Sequence, residues 1–320
     1  MNRRDLLKTG IAGTAFALSA GNLAAQTTGA NIRTEGIQRL RVGKITVTAL
    51  SDGFADFITP QTKILQGITT ETYEKTIEAS GRGAGARQTD VNAYLVENGE
   101  RLTLIDAGTN KGFAPTLGRT QDALLAAGYV PEQITDILIT HMHPDHSGGL
   151  IGPDGGAFYP NANLLIHELE HEYWVNGDAG SRNRPDMEAQ FQLAKTATAI
   201  YGNRVSLFRG EEIGLPGITT VPLFGHTPGH VGCMIESDGD RVFVVSDIIH
   251  QSVIQFAFPE TTVTFDVDQD EARKTRIRAL DRIATDGERI IGMHLPFPGA
   301  GKVERHGDGY RWVAEEREYF

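Results

Sequence analysis

The chain runs in short apolar stretches separated by glycine and polar turns, the rhythm of many strands with a few helices between them. Residues 39–50 alternate apolar and polar positions as an edge strand does, and Ser51-Asp52-Gly53 closes that stretch as a turn. Buried strands are expected at 91–96, 102–105 and 134–139, and again at 218–223, 241–247 and 289–292. Helical periodicity is expected near 70–80, at 168–176 and 186–199, and over 269–285. A further helix is expected across 115–127, with Pro115 at its start and Gly128 just past its end. No repeat or low-complexity block divides the chain, and its two halves meet near residue 205.

Polar chemistry collects where these strands end. The run 134–139 opens into Thr140-His141-Met142-His143-Pro144-Asp145-His146, three imidazoles and a carboxylate in one turn. Chain leaving a strand can aim His141 and His143 the same way, because side chains two apart share a face. Asp145 and His146 fall on the turn itself, backed by Gly148 and Gly149, which tolerate tight backbone. Such nitrogen and oxygen donors suit zinc, iron or manganese better than soft ions. Three later strand ends deliver His230, Asp247 and His294. The total is five histidines and two aspartates, enough for two ions if one carboxylate bridges them. His226 and His250 lie beside these residues and are candidates to orient them. Asp106 closes the strand at 102–105 just before Gly108. His167, His171 and His306 read as surface positions.

The strings TDVNAYLVENG (89–99), LIDAGTNKGFAPTLG (104–118), LITHMHPDHSGGL (138–150), GHTPGHVG (225–232), SDII (246–249), QFAFPE (255–260), FDVDQDEAR (265–273) and GMHLPFPG (292–299) resemble the metallo-beta-lactamase superfamily. That family's pattern is HxHxDH followed by a later His, a later Asp and a final His. Within it the chain looks most like the methyl parathion hydrolase group, near the quorum-signal lactonases, over about residues 42–313. The resemblance implies an α/β fold, a four-layered αββα sandwich with two mixed sheets between helices and the metals at one edge. It implies that His141, His143 and His230 hold one ion, that Asp145, His146 and His294 hold the second, and that Asp247 bridges both. It gives Asp106 a role in bracing the metal loop, and places Phe113, Trp174 and Phe191 around the substrate.

The cofactor expected is therefore two divalent transition ions, zinc first, with manganese, iron or cobalt admitted. Such a pair acidifies a water between its members and polarises the bond under attack, so no nucleophilic serine or cysteine is needed. Asp145 and Asp247 are the residues expected to carry the chemistry. The substrate class expected is a neutral ester, organophosphate triesters of methyl parathion type first. The alternative is an acyl-homoserine lactonase or aryl-ester esterase, and the third reading is a non-catalytic metal-binding protein on the same scaffold.

Composition sets outer limits. A chain of 320 residues can bury one large core, and its single cysteine, Cys233, excludes an intrachain disulfide. The formal charge of -11 repels nucleic acid and anionic membranes at long range, so no nucleic-acid partner is expected. A small neutral ester is the expected partner, and a homodimer is admitted. The amino terminus carries Arg3-Arg4-Asp5-Leu6-Leu7-Lys8, then an apolar stretch and small residues to Ala25, the layout of a twin-arginine export signal. The division expected is a signal over 1–25, a linker over 26–38 and one hydrolase domain over 39–320, with a periplasmic or secreted mature protein. No apolar run after residue 25 is long enough to span a bilayer. Changing Arg3 and Arg4 together to lysine is expected to leave folded, active protein in the cytoplasm. Fractionation that finds undiminished periplasmic delivery would remove the twin-arginine assignment.

Overall fold

Hydrophobic alternation resolves into two packed sheets. The computed structural model describes residues 36–55, 63–178 and 182–316. The expected signal and residues 26–35 of the expected linker lie outside the described residues, and the described chain is already in strand by Ile37.

The first sheet runs in chain order through β1 (Ile37–Val42), β2 (Ile45–Ala55), β3 (Thr89–Asn98), β4 (Arg101–Ile105), β5 (Asp136–Ile139), β6 (Asn163–His167) and β7 (Val205–Phe208). The β1–β4 part is antiparallel, and β4 to β7 are parallel. The second sheet holds β8 (Ile218–Pro222), β9 (Val231–Ser237), β10 (Asp240–Val244), β11 (Arg289–Ile291), β12 (Gly301–His306) and β13 (Gly309–Ala314), again in chain order.

Period-two patterning explains the layers. Leu138 on β5 and Leu165 on β6 join Cys233, Val244 and Ile291 of the second sheet in one core between the sheets. Their neighbours Ile137, Ile139, Leu164 and Ile166 point the other way and pack on Phe191 and Ala194 of a helix over Glu188–Tyr201. On the outer face of the second sheet, Phe243 and Ile290 meet Leu280 and Ile283 of the helix over Gln269–Asp286. Helix, sheet, sheet and helix therefore stack as the expected four layers. No helix of the described residues is long and apolar enough to cross a membrane.

Several boundaries differ from the sequence reading for local reasons. The single strand expected over 39–50 is a hairpin, because Gly43 turns the chain at φ 56° and its missing side chain lets the backbone meet Ser237 O. The helix expected from Pro115 forms only over Thr120–Ala126, since Gly118, at φ 84°, interrupts it. Residues 168–176 begin as one α turn and continue as a π-helix over His171–Asn176. The strands β6, β7, β9, β12 and β13 lack any counterpart in the apolar runs singled out above.

One buried carboxylate fixes the loop that follows β4. Asp52 accepts from the backbone N–H of Thr109 at 3.2 Å, Gly118 at 3.0 Å and Thr120 at 2.9 Å. It also accepts from the hydroxyls of Thr109 and Thr120 at 2.6 and 2.7 Å. Gly108 is held at φ 70° directly against it, where a Cβ would strike Asp52 Oδ1. Truncation to Asp52→Ala strands several buried donors and is expected to cost roughly 3 kcal/mol or more. Denaturant unfolding of the metal-free protein measures it; a loss under about 1 kcal/mol would mean that water replaces the carboxylate.

Candidate metal centre

Each chemically active side chain hangs from the end of a strand. Asp106 follows β4, residues 140–146 follow β5, His226 and His230 lie between β8 and β9, Asp247 and His250 follow β10, and His294 follows β11. Parallel and edge strands from both sheets bring these ends to one side of the sandwich.

Three imidazole nitrogens form a triangle. His141 Nε2 lies 3.0 Å from His143 Nδ1, which lies 2.9 Å from His226 Nε2, and His226 Nε2 closes the figure at 3.2 Å from His141 Nε2. Beside it, His146 Nε2 lies 3.6 Å and His294 Nε2 3.4 Å from Asp145 Oδ2. Between the two groups sits Asp247 Oδ2, within 3.5 Å of His141, 3.3 Å of His146, 3.4 Å of His226, 3.2 Å of His250 and 3.1 Å of His294.

These donors fit two ions. A tetrahedral ion bound at about 2.0–2.1 Å holds its nitrogen donors roughly 3.3 Å apart, close to the edges of the triangle. Buried His146 Nε2, Asp247 Oδ1 and both nitrogens of His250 have no hydrogen-bond partner among the described residues, although such groups are ordinarily satisfied. Burial holds His141, His143 and His226 well below the ordinary imidazole range, so their lone pairs are free at neutral pH. Burial also opposes charge on His146, but Asp247, Asp145 and Asp106 together hold its pKa well above the usual value. Asp247 is pushed the other way: burial would raise it, and His146, His294 and His141 hold it well below the carboxylate range. The site asks for positive charge at its centre. The donor set is nitrogen and oxygen without thiolate, which suits zinc and similar ions.

The structure corrects one ligand. His230, expected in the first group, donates from Nδ1 to Leu223 O at 2.8 Å and accepts the Asp247 N–H on Nε2 at 3.2 Å. Both its nitrogens are spent, and burial pushes its pKa down to about 4. His226, expected only to orient a ligand, occupies the triangle. In GHTPGH the two histidines are four apart on one loop, and spacing alone carries no sign of which way the loop turns.

The remaining expected residues separate clearly. Asp106 accepts from His146 Nδ1 at 2.7 Å and from Thr140 N–H and Oγ1 at 2.8 Å each, so it ties the ligand to the strand end. Phe113 is 48% exposed and lines a cleft of about 150 Å³ over the metal donors. Trp174 and Phe191, expected to line the substrate pocket, do not: both are fully buried, packed on each other with ring centroids 4.8 Å apart and planes tilted by 46°, in the core beneath the first sheet. Trp174 instead props His143 from behind, edge to face at 5.2 Å. The aromatic that joins Phe113 in the cleft is Phe265. A larger groove of about 800 Å³, bordered by Arg82, Phe256 and Trp312, holds none of these donors.

Sequence reasoning also missed Glu170. This buried carboxylate accepts Met142 N–H on one oxygen at 3.0 Å and Gly229 N–H on the other at 2.8 Å, clamping together the loops that carry His141, His143 and His226. Gly229 permits that approach, since a Cβ there would lie 2.6 Å from Glu170 N.

Comparison with known proteins agrees with this geometry. Residues 86–294 match the model of the metallo-beta-lactamase superfamily. The chain belongs to that superfamily. A solved hydrolase of the beta-lactamase superfamily, AbOPH, is 30% identical, with a TM-score of 0.81 over 89% of this chain and 99% of its own. The dizinc quorum-quenching lactonase AidC, solved with a product homoserine, shares the fold at 24% identity, with a TM-score of 0.82 over 90% of this chain and all of its own. An N-acyl homoserine lactonase of Bacillus sp is 28% identical over 165 residues, which span 45% of this chain and 58% of that enzyme. This superfamily member is a metal-dependent hydrolase with a dinuclear donor set, related both to AbOPH and to lactonases.

The two histidines of GHTPGH give a direct test. His226→Ala is expected to lower bound zinc from two ions toward one. His230→Ala is expected to keep both ions while lowering stability by roughly 1–3 kcal/mol, because the Asp247 N–H loses its acceptor. Elemental analysis of both variants decides, and the reverse pattern would return His230 to the ligand set.

Proposed function

We propose that this superfamily member hydrolyses neutral lactones, with N-acyl homoserine lactones as the substrate class. The carrying observation is the cleft. Its floor is His143, Asp145, Asp247, His250 and His294, its walls are Ala55, Val91, Phe113, Leu117 and Phe265, and among the described residues no lysine or arginine lines it. Apolar walls over a polar floor favour a substrate with a hydrocarbon arm and an uncharged reacting group. A phosphate monoester or a carboxylate-bearing β-lactam would find no cation among the described residues of those walls.

A bound metal pair supplies Lewis acidity and makes water a nucleophile at neutral pH. The chain's own residues set the geometry. Phe113 and Phe265 hold the acyl arm by burial and ring contact, which also excludes water from one side of the ester. Asp247 keeps the two donor groups at fixed separation. Burial would raise Asp145, but His146 and His294 hold it below the carboxylate range, so it stays ionised and serves as a donor, not as an acid. In the net reaction water adds to the lactone carbonyl carbon and the ring C–O bond breaks. The product is a single ring-opened molecule that carries both the new carboxylic acid and the new hydroxyl.

The sequence reading puts aryl phosphotriesters first. Lactones take that place because N-acyl homoserine lactonases of Bacillus and of Rhizobium radiobacter are among the curated relatives. Phosphotriesters stay as the second reading, supported by the uncharged walls of the cleft.

The zinc-loaded enzyme is expected to show kcat/KM for N-hexanoyl homoserine lactone at least about tenfold above that for a dimethyl aryl phosphotriester or phenyl acetate. Phe113→Ala and Phe265→Ala are each expected to lower kcat/KM for the long-chain lactone by roughly 1–3 kcal/mol in transition-state terms, with a smaller loss for a short-chain one. A phosphotriester preferred over every lactone tried would reverse the assignment.

A further inference from the structure

The motif FDVDQDEAR leads to a pair of buried charges behind His226. Asp266 Oδ1 lies 2.7 Å from His226 Nδ1, on the opposite side of the ring from the nitrogen that faces His141 and His143. Asp266 Oδ2 accepts Val263 N–H at 3.0 Å and faces Arg276 Nη2 at 3.9 Å. Arg276 is itself fully buried on the helix over Gln269–Asp286. Its Nε donates to Ile248 O at 2.5 Å and its Nη1 to Thr261 O at 2.7 Å. Ile248 directly follows Asp247. The backbone joins the same unit, with Val267 N–H on His226 O and Asp268 N–H on Gly225 O, both at 2.9 Å.

Within the triangle, His226 alone has a carboxylate behind it. The rear nitrogen of His141 meets only the Thr140 hydroxyl at 3.2 Å, and the second nitrogen of His143 has no partner. In the other donor group the carboxylate-backed ring is His146, on Asp106. Each group thus has one imidazole whose basicity and direction are set by a buried carboxylate. A carboxylate behind a ligating imidazole fixes the ring and strengthens its lone pair, and its loss typically weakens metal binding 10–100-fold.

We propose that Asp266, held in place by Arg276, is the positioning residue for the first ion and sets its affinity independently of the second. The proposal rests on the dinuclear reading, which the parent protein tests separately by retaining two ions. Zinc retained by the full chain under graded chelator competition is measured for the parent, D266N, and D266N combined with His226→Ala or with His294→Ala. D266N is expected to weaken one of the two ions about 10–100-fold and leave the other within about twofold. With His294→Ala, D266N is expected to weaken the ion that remains. With His226→Ala it is expected to change nothing further, since the ring it acts through is gone. Cobalt-loaded D266N is expected to show an altered visible band for one ion only. Equal weakening of both ions, no weakening, or an undiminished effect in the His226→Ala background would each overturn the proposal. If D266N does not accumulate as folded protein, R276K is measured in the same way. There a selective loss at the same ion supports the proposal, and an equal loss at both ions, or none, overturns it.

Discussion

A single carboxylate oxygen, Asp247 Oδ2, lies within 3.5 Å of five imidazole nitrogens in a water-poor interior. Burying that many polar groups is unfavourable unless each is paired, and imidazoles can pair only partly among themselves. Cations at the two donor groups resolve the conflict. Much of the sandwich can then be read as the frame that keeps these groups from turning away to satisfy each other. That frame is why the ligands sit at strand ends, where backbone direction is fixed by the ladder on one side and free to turn on the other.

The frame has a rear and a front. Behind the ligands lie Glu170, Asp106, Asp266 and His230, which spend their hydrogen bonds on loop backbone and on the far nitrogens of the ligand rings. Ser246 extends the same mesh: its hydroxyl donates to Thr140 Oγ1 at 2.9 Å, and Thr140 donates onward to Asp106, so the strand ends of the two sheets are joined. Ser246 at φ 44° and Asp106 at φ 58° are held in left-handed backbone, which for such residues persists only where the surroundings hold it in place. Rigidity at the rear leaves the front to the loops that carry Phe113 and Phe265.

How much of this was legible in the sequence follows from the range of each signal. The cluster His141, His143, Asp145 and His146 is local, so a single turn reveals it. Asp247 and His294 end apolar strands and show themselves by place. The layered fold follows from resemblance, and period two explains it afterwards through Leu138 and its oppositely facing neighbours. The exchange of His226 for His230 was not legible, because it depends on Asp266 lying 40 residues downstream and on Leu223 O receiving the other ring. Trp174 and Phe191 misled for a similar reason. Their helical spacing fits a pocket lip or a core equally well, and only the packing of Glu188–Tyr201 onto the first sheet decides for the core. The hairpin β12–β13 escaped because GKVERH carries few apolar residues and GYRWVA, on the sheet's edge, shows no clean alternation, and both strands are largely exposed toward their hairpin turn.

Rear and front also divide the chemical work. Changes among the rear carboxylates act on which ions stay and where their ligands point, so they affect every substrate alike. Changes among Ala55, Val91, Phe113, Leu117 and Phe265 act on what reaches those ions, so they would separate one substrate from another. Under the proposed function, uncharged walls would give no charge by which to tell a lactone arm from an aryl phosphotriester, so discrimination between them would fall to shape, where a methylene or a ring edge is worth only about 1–3 kcal/mol. On that proposed reading, a few cleft substitutions would change the preferred substrate while the ligand frame stays intact. Its relation to both AbOPH and the lactonases fits that division.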